Sequence, residues 1–131
     1  MKWIYGRQDW KTLERGLENC YLLTNGLGGF SSLTMTGAVA RNDHSVFMSC
    51  TKAPNHRINM IHRMKEELDI GESKYVLSTQ EFADGTKEEG YCYLIEFSFE
   101  ILPSWRYLIN GIEIEKEIVM AQGSNQIAVN Y

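Results

Sequence analysis

The sequence lacks the features that mark several common classes of protein. It has no cluster of Lys and Arg, and its formal net charge is -4 at pH 7, whereas nucleic acids and anionic membranes are bound by concentrated basic surfaces. No window approaches the roughly 20 apolar residues of a membrane-spanning helix, and no signal-peptide core follows Met1. We therefore expect a cytoplasmic protein with a neutral ligand and with no nucleic-acid or membrane partner.

Cysteine and histidine are both scarce. Cys20, Cys50 and Cys92 are far apart, with no Cys-x-x-Cys pair, which predicts buried thiols in a reducing compartment and not a disulfide framework. His56 and His62 would lie roughly 20 Å apart on one strand at about 3.3 Å per residue, too far apart to share a metal ion. We predict no metal site.

What is present is the alternating pattern of an all-β fold. The chain has 131 residues, 44% hydrophobic and 23% charged, which is typical of one soluble domain spanning residues 1–131. Only one short segment predicts a helix, because Asp9 can cap it and Trp10, Leu13 and Leu17 follow at helical spacing. Elsewhere apolar residues alternate with polar ones, which predicts antiparallel strands packed as a β-sandwich. The alternating apolar positions are Tyr91, Tyr93, Ile95, Phe97, Phe99 and Ile101; Ile58, Met60, His62 and Met64; and Ile112, Ile114, Ile118 and Met120.

Two segments add detail to this sheet. Asn110-Gly111 separates two apolar runs and has the composition of a two-residue type I′ turn, so residues 104–120 are predicted to form a hairpin. Residues 126–131 alternate like a strand and then stop without a turn or a cap. We expect a chain that was cut within its sheet, with a free edge that could pair with a second copy in a homodimer.

The segment Thr24-Asn25-Gly26-Leu27-Gly28-Gly29-Phe30 is rich in glycine. It does not match a dinucleotide-binding fingerprint, because Ser31 stands where a third glycine is needed and no helical period follows. It also lacks the Gly-Lys-Ser/Thr ending of a P-loop, so we predict no cofactor. The glycines permit positive φ or the close approach of a ligand. A structural turn is the favoured interpretation, and a ligand contact at Asn25 is the alternative.

The chain contains no complete catalytic site in this interpretation. Glycoside hydrolysis needs two carboxyl groups roughly 5 to 9.5 Å apart across the scissile bond. Glu113, Glu115 and Glu117 share one wet strand face, and the other acidic residues fall in charged turns. No Gly-x-Ser-x-Gly nucleophile motif is present either. We predict no catalytic residue.

Four residues are candidates for substrate binding: Asn25, Arg41, His44 and Trp105. Arg41 and His44 belong to a polar cluster just before an apolar strand, which is typical either of the rim of a ligand site or of a solvated loop. Flat aromatic rings stack on sugar faces, so the tryptophans are also candidates. Trp105 follows a strand bend and can be core or rim, Trp10 is predicted to be core, and composition does not place Trp3.

The run Tyr21-Leu22-Leu23-Thr24-Asn25-Gly26-Leu27-Gly28-Gly29-Phe30-Ser31-Ser32 resembles the N-terminal domain of glycogen debranching enzymes of the bacterial and archaeal type, the amylo-α-1,6-glucosidases. The similarity continues over most of the chain, at Thr34, Gly37, Arg41, His44, Leu77-Ser78-Thr79, Asp84-Gly85, Gly90-Tyr91, Tyr93-Leu94, Phe97, residues 103–107, Ile114-Glu115-Lys116, Met120 and Asn125. The chain departs from the family where Asn42 and Asp43 replace an arginine and a tyrosine, where Ser45 replaces a glycine, and where Cys20 replaces an acidic residue.

The resemblance implies a partial galactose-mutarotase-like supersandwich, placed before an (α/α) toroid that carries the catalytic carboxylates. It implies an enzyme that hydrolyses α-1,6 branch linkages of glycogen or a related glucan. This chain would be the leading domain of that enzyme, inactive alone, with the toroid and the glucan as its partners. The alternatives are a freestanding carbohydrate-binding module and an interaction domain with an open sheet edge.

Overall fold

Antiparallel strands dominate the computed structural model, which describes residues 1–131. The strands are β1 (Trp3–Gly6), β2 (Leu23–Thr24), β3 (Phe30–Ser32), β4 (Ser45–Lys52), β5 (His56–Ile61), β6 (Glu67–Ile70), β7 (Ser73–Val76), β8 (Thr79–Glu81), β9 (Lys87–Glu89), β10 (Leu94–Phe99), β11 (Pro103–Ile109), β12 (Ile112–Met120) and β13 (Ile127–Asn130). The helical elements are α1 (Leu13–Gly16) and two 3-10 turns, Arg7–Trp10 and Gly90–Cys92. The prediction of an all-β fold with one short N-terminal helix is confirmed.

Two larger sheets enclose the hydrophobic core. One has the strand order β1-β10-β11-β12-β13, the other has the order β2-β3-β4-β5, and two separate hairpins are formed by β6-β7 and β8-β9. Val46 from the smaller sheet packs in one buried cluster with Phe97 and Trp105 from the larger sheet. Such shared burial is what holds two antiparallel sheets face to face as a sandwich. None of the helices combines the length and the apolar character that crossing a membrane requires.

The N-terminal helix begins later than the sequence predicted. Asp9 does not cap it, because Asp9 lies inside the first 3-10 turn and its carboxylate accepts a hydrogen bond from the backbone N–H of Gly6 at 2.9 Å. Thr12 is the cap instead, since its backbone is extended and its hydroxyl accepts from the N–H of Arg15 at 3.3 Å. Trp10 and Leu13 are buried as expected, in line with the predicted helical face.

The strand predicted over residues 91–101 is shorter and irregular at its start. Residues 90–92 form a 3-10 turn, and the pairing of β10 with β11 shifts register between Leu94 and Glu96. A bulge of this kind changes which side chain faces inward, so Leu94 is fully buried where Ile95 was expected. Downstream the prediction holds at Phe97 and Phe99, and Ile101 lies exposed beyond the end of the strand.

The predicted strand around residue 60 exists as β5, but its apolar face is uncovered. Ile58 and Met60 are both exposed large hydrophobic residues. β5 is the edge of the smaller sheet and pairs with β4 alone. His62 and Met64 follow the end of the strand, so the alternation stops earlier than predicted.

The hairpin predicted around Asn110-Gly111 is confirmed. Both residues have positive φ, 49° and 77°, and the register pairs Ile109 with Ile112. Such φ values at both central positions define the type I′ turn. On the outer face, Arg106 pairs with the carboxylates of Glu96 and Glu113, which confirms that this face is wet.

The inward face of β12 contains a charge that the sequence pattern did not reveal. Lys116 lies two residues from Ile114 and two from Ile118 on the same strand, so it faces inward with them and is buried. Its Nζ donates to Glu66 Oε1 at 2.8 Å and lies 5.1 Å from the centroid of the Trp105 ring. The Tyr131 hydroxyl donates to the other oxygen of the same carboxylate. A buried ammonium needs such a set of partners to offset its desolvation.

The three cysteines are free, and Cys50 is buried as predicted. Cys20 and Cys92 are exposed, so the prediction of buried thiols was wrong for these two. Cys20 lies between α1 and β2, and Cys92 is the last residue of the second 3-10 turn, so neither is in the apolar interior of a strand. No group of three or more His, Cys, Asp or Glu side chains is placed to hold a metal ion.

Candidate functional site

The glycine-rich segment forms a tight loop between β2 and β3. The backbone N–H of Asn25 donates to the carbonyl of Gly29 at 3.2 Å. The Oδ1 of Asn25 accepts from the N–H of Leu27 at 2.9 Å and from the N–H of Gly29 at 3.1 Å. An asparagine that bonds its own downstream backbone in this way mimics an extra turn of the main chain. The segment is therefore a structural turn built around one amide.

The same amide fastens the loop to the turn between β12 and β13. Its Nδ2 donates to the carbonyl of Ser124 at 3.2 Å and to Oδ1 of Asn125 at 3.0 Å. The Asn25 carbonyl accepts from the N–H of Gly123 at 2.8 Å. A side-chain amide offers two donors and two acceptor positions, and all four are used. Since Asn25 is also 0% exposed, its side chain has nothing left with which to bind a substrate.

Glycine is required next to this amide for reasons of space. A Cβ on Gly29 would lie 2.7 Å from the Nδ2 of Asn25 and 3.0 Å from the backbone oxygen of Met48. Gly28 has a φ of 89°, in the region that favours glycine. The two adjacent glycines therefore serve different purposes, one for conformation and one for close packing.

Arg41 and His44 are close in sequence but differ in their exposure to solvent. Arg41 is exposed, whereas His44 is only 2% exposed. The Nδ1 of His44 accepts from the N–H of Ala40 at 3.0 Å, and the backbone N–H of His44 donates to the carbonyl of Arg41 at 3.0 Å. Burial lowers the pKa of His44, an effect opposed by Asp43 and assisted by Arg41. His44 thus closes a turn as a neutral imidazole.

Trp105 lies in the core and not on the surface. It is 0% exposed, and its Nε1 donates to the carbonyl of Met35 at 2.9 Å. Its ring packs against Tyr21 and Phe97, with centroids 5.5 Å and 5.3 Å away. A glucan cannot stack on a ring enclosed in this way. Of the four predicted substrate residues, Arg41 alone is exposed to solvent.

The glycine loop borders a groove of about 690 Å³, which we call the glycine groove. Its lining residues are Cys20, Tyr21, Leu22, Thr24, Gly26, Gly28, Gly29, Phe30, Ser32, Asp43 and Arg57. The Nε of Arg57 donates to the carbonyl of Gly28 at 3.0 Å, and its guanidinium carbon lies 5.6 Å from the Phe30 ring centroid. Arg41 reaches the rim, with Nη1 4.0 Å from the sulfur of Cys20.

A second, aromatic groove of about 270 Å³ adjoins the first. It is lined by Trp3, Tyr5, Cys20, Tyr21, Leu22, Phe97 and Phe99, so that Cys20, Tyr21 and Leu22 border both grooves. Trp3 is 57% exposed. The sequence made Trp3 a candidate for stacking on a sugar but did not place it, because its position depends on the pairing of β1 with β10, in which Trp3 lies opposite Phe99.

The two grooves can bind but lack the groups for a two-carboxylate hydrolysis. Asp43 is the single carboxylate among their lining residues, whereas the common glycosidase mechanisms need a pair. The Tyr21 hydroxyl is hydrogen-bonded to the Ser31 hydroxyl at 2.8 Å, and burial raises its pKa well above the ordinary value. It therefore stays protonated and is not a base at neutral pH.

Fold and site together define a β-sandwich domain with two adjoining grooves, whose lining residues include a single carboxylate. The family model of the glycogen debranching enzyme N-terminal domain matches residues 19–131. The chain therefore belongs to this family. The matched region includes the glycine loop, Asp43 and Arg57 but not Trp3. Among curated proteins and solved structures, no match was found.

Proposed function

We propose that this chain is a non-catalytic domain of an enzyme that hydrolyses α-1,6 branch linkages in glycogen or a related glucan. The observation that carries the proposal is the family match over residues 19–131, which includes the loop bordering the glycine groove. In this arrangement an (α/α) toroid supplies the catalytic carboxylates. The domain packs on that toroid and borders its glucan cleft.

The chemistry of the grooves supports a role in binding and not in bond cleavage. Asp43 has no second carboxylate beside it in either groove. The groove walls are otherwise apolar rings, hydroxyl groups and glycine backbone, with Arg57 as the one cation. This mixture suits a neutral polyhydroxylated ligand, whose hydroxyl groups need hydrogen-bonding partners and whose ring faces are apolar.

A cytoplasmic location is part of the proposal. Cys20 and Cys92 are exposed and free. Exposed unpaired thiols are typical of reducing compartments, since oxidising compartments convert them to disulfides or oxidised forms. A cytoplasmic storage glucan is the matching substrate class.

The test is a fusion of this chain ahead of the catalytic domain of a glycogen debranching enzyme. Glucose release from a branched limit dextrin is measured for the fusion, for the catalytic domain alone and for this chain alone. We expect the fusion to be at least about tenfold more active than the catalytic domain alone, because correct positioning of a substrate is worth that much or more. A folded fusion no more active than the isolated catalytic domain would count against the proposal.

A further inference from the structure

We propose that the aromatic groove and the glycine groove form one continuous secondary site for a linear α-1,4-linked glucan segment. Trp3 serves as the stacking platform at one end, and Asp43 and Arg57 bind sugar hydroxyls at the other. The inference rests on the proposed function for its choice of ligand. It assigns the binding to residues that differ from the four predicted by sequence.

The two grooves adjoin each other, because three residues belong to the lining of both. Cys20, Tyr21 and Leu22 line both of them, with the aromatic end on one side and the glycine loop on the other. The glycine groove, at about 690 Å³, lies within the range of small-molecule sites. A chain-like ligand can lie along such a pair of depressions, whereas a compact ligand would fill one and leave the other empty.

The aromatic end presents flat apolar surface to solvent. Trp3 is 57% exposed and lies opposite Phe99 across the β1–β10 pair, with Leu22 also exposed nearby in the same groove. Tryptophan offers the largest apolar plane of any side chain, and leaving it in water forgoes the free energy gained by burial. The C–H face of a pyranose ring covers such a plane without requiring any charge.

The polar end combines one carboxylate with one guanidinium. Asp43 accepts hydrogen bonds, and Arg57 donates them. Arg57 is held in place because its Nε bonds to the Gly28 carbonyl and its guanidinium stacks near Phe30, so its Nη groups remain available to a ligand. Together the two opposite charges give this end no net attraction for an anionic or a cationic ligand. A neutral sugar with hydroxyl groups can bond to both.

The experiment uses isothermal titration of the chain with maltoheptaose, and with cellohexaose as the linkage control. The variants are Trp3→Ala, the conservative Trp3→Phe, and Asp43→Asn, with Ile101→Ala as a matched control at another exposed apolar residue outside both grooves. We expect millimolar or tighter binding of maltoheptaose, a loss of about tenfold in Trp3→Ala and substantial rescue in Trp3→Phe. Asp43→Asn should weaken binding by about threefold or more. Ile101→Ala should bind like the parent.

Several outcomes would overturn the assignment. The first is that the folded chain does not bind maltoheptaose at about 10 mM. The second is equal affinity for cellohexaose, and the third is an affinity for maltoheptaose that Trp3→Ala does not change. Sedimentation provides a further check, because a dimer that dissociates on Trp3→Ala would show that a second copy occupies the aromatic groove. Failure here is distinguishable from failure of the proposed function. A fusion that is active on branched dextrin while this chain binds no glucan would keep the accessory role and remove the site.

Discussion

The Nδ2 of Asn25 lies 3.0 Å from the Oδ1 of Asn125, although the two residues are 100 positions apart in the sequence. This contact joins the glycine loop to the turn that follows β12, and the Nδ2 of Asn125 in turn donates to the carbonyl of Cys50 at 3.4 Å. Three separate parts of the chain therefore meet beside the glycine loop, which borders the glycine groove. Partly buried hydrogen bonds therefore connect the loop to the β12–β13 turn, and that turn to β4.

Substituting Asn25→Ala should lower the free energy of unfolding by about 3 kcal/mol, because it leaves the partly buried N–H of Leu27 and the buried N–H of Gly29 without an acceptor. Urea unfolding followed by tryptophan fluorescence measures this change. Asn42→Ala, at an exposed position, is the matched control and should change stability by less than about 0.5 kcal/mol. Equal stabilities of the two variants would mean that the amide network contributes nothing.

Gly29→Ala should destabilise the protein by about 2 kcal/mol, since the added methyl group would overlap the Asn25 amide and crowd the Met48 carbonyl. The cost should be smaller when Asn25→Ala is already present, because one of the two clashing groups is then gone. A double-mutant cycle in urea measures this coupling. Strictly additive effects would contradict the packing account of this glycine.

The turn and the hairpin could be predicted from sequence because their chemistry is local. Asn110-Gly111 determines its own backbone conformation, and the glycine loop needs positive φ that any reader of the sequence can infer. The sequence left a ligand contact at Asn25 open as the alternative to a structural turn, because the partners of its amide, Ser124 and Asn125, come from the other end of the chain. Local sequence shows that an amide stands at a bend but not what the bend touches.

Lys116→Met should be strongly destabilising, by about 3–5 kcal/mol, because it leaves the carboxylate of Glu66 buried without its cation. The double variant Lys116→Met with Glu66→Gln should recover most of the loss, since no unpaired charge then remains. Chemical unfolding of both variants is the measurement, and the double variant keeps the test informative if the single one does not fold.

A surface pair provides the control for this prediction. Lys65 bonds to Glu67 with both side chains largely in water, so Lys65→Met should produce little measurable change. If Lys116→Met proved as mild as Lys65→Met, the buried ion pair between Lys116 and Glu66 would not be needed for stability.

The free energy of unfolding should decrease at acidic pH because His44 takes up a proton more readily in the unfolded chain than in the folded one. Burial lowers the folded-state pKa of His44 below the ordinary value of about 6.5. The unfolded chain therefore takes up a proton first, so the free energy of unfolding is highest above about pH 7 and decreases as the pH falls through about 6.5. The decrease ends once the pH is below the folded-state pKa.

His44→Asn removes the titration and keeps an acceptor in the place of Nδ1 for the Ala40 N–H. The parent should lose more stability than this variant between about pH 7.5 and pH 5.5. His56 and His62 are present in both proteins, so their contributions cancel in the comparison. Parallel pH dependences of the two proteins, measured by urea unfolding, would rule out His44 as the titrating group.

The tryptophans mark the limit of what the sequence could predict about the site. Trp105 has the polar neighbours of a strand bend, yet it is enclosed because β10, β11 and β12 place it on the inner face. Trp3 was a candidate that composition did not place, and only its pairing opposite Phe99 shows that it borders a groove. Burial of an aromatic residue is decided by which distant strand becomes its neighbour, and alternation within one strand contains no information about that choice.

The most direct test of the central claim, that this domain binds but does not cleave, is to incubate the chain alone with a branched limit dextrin and measure released glucose. We predict no release above the protein-free control, for the chain and for Asp43→Asn alike, because the grooves hold one carboxylate where hydrolysis needs two. Sustained glucose release by the chain that Asp43→Asn abolishes would contradict the account, since it would make this domain catalytic in its own right.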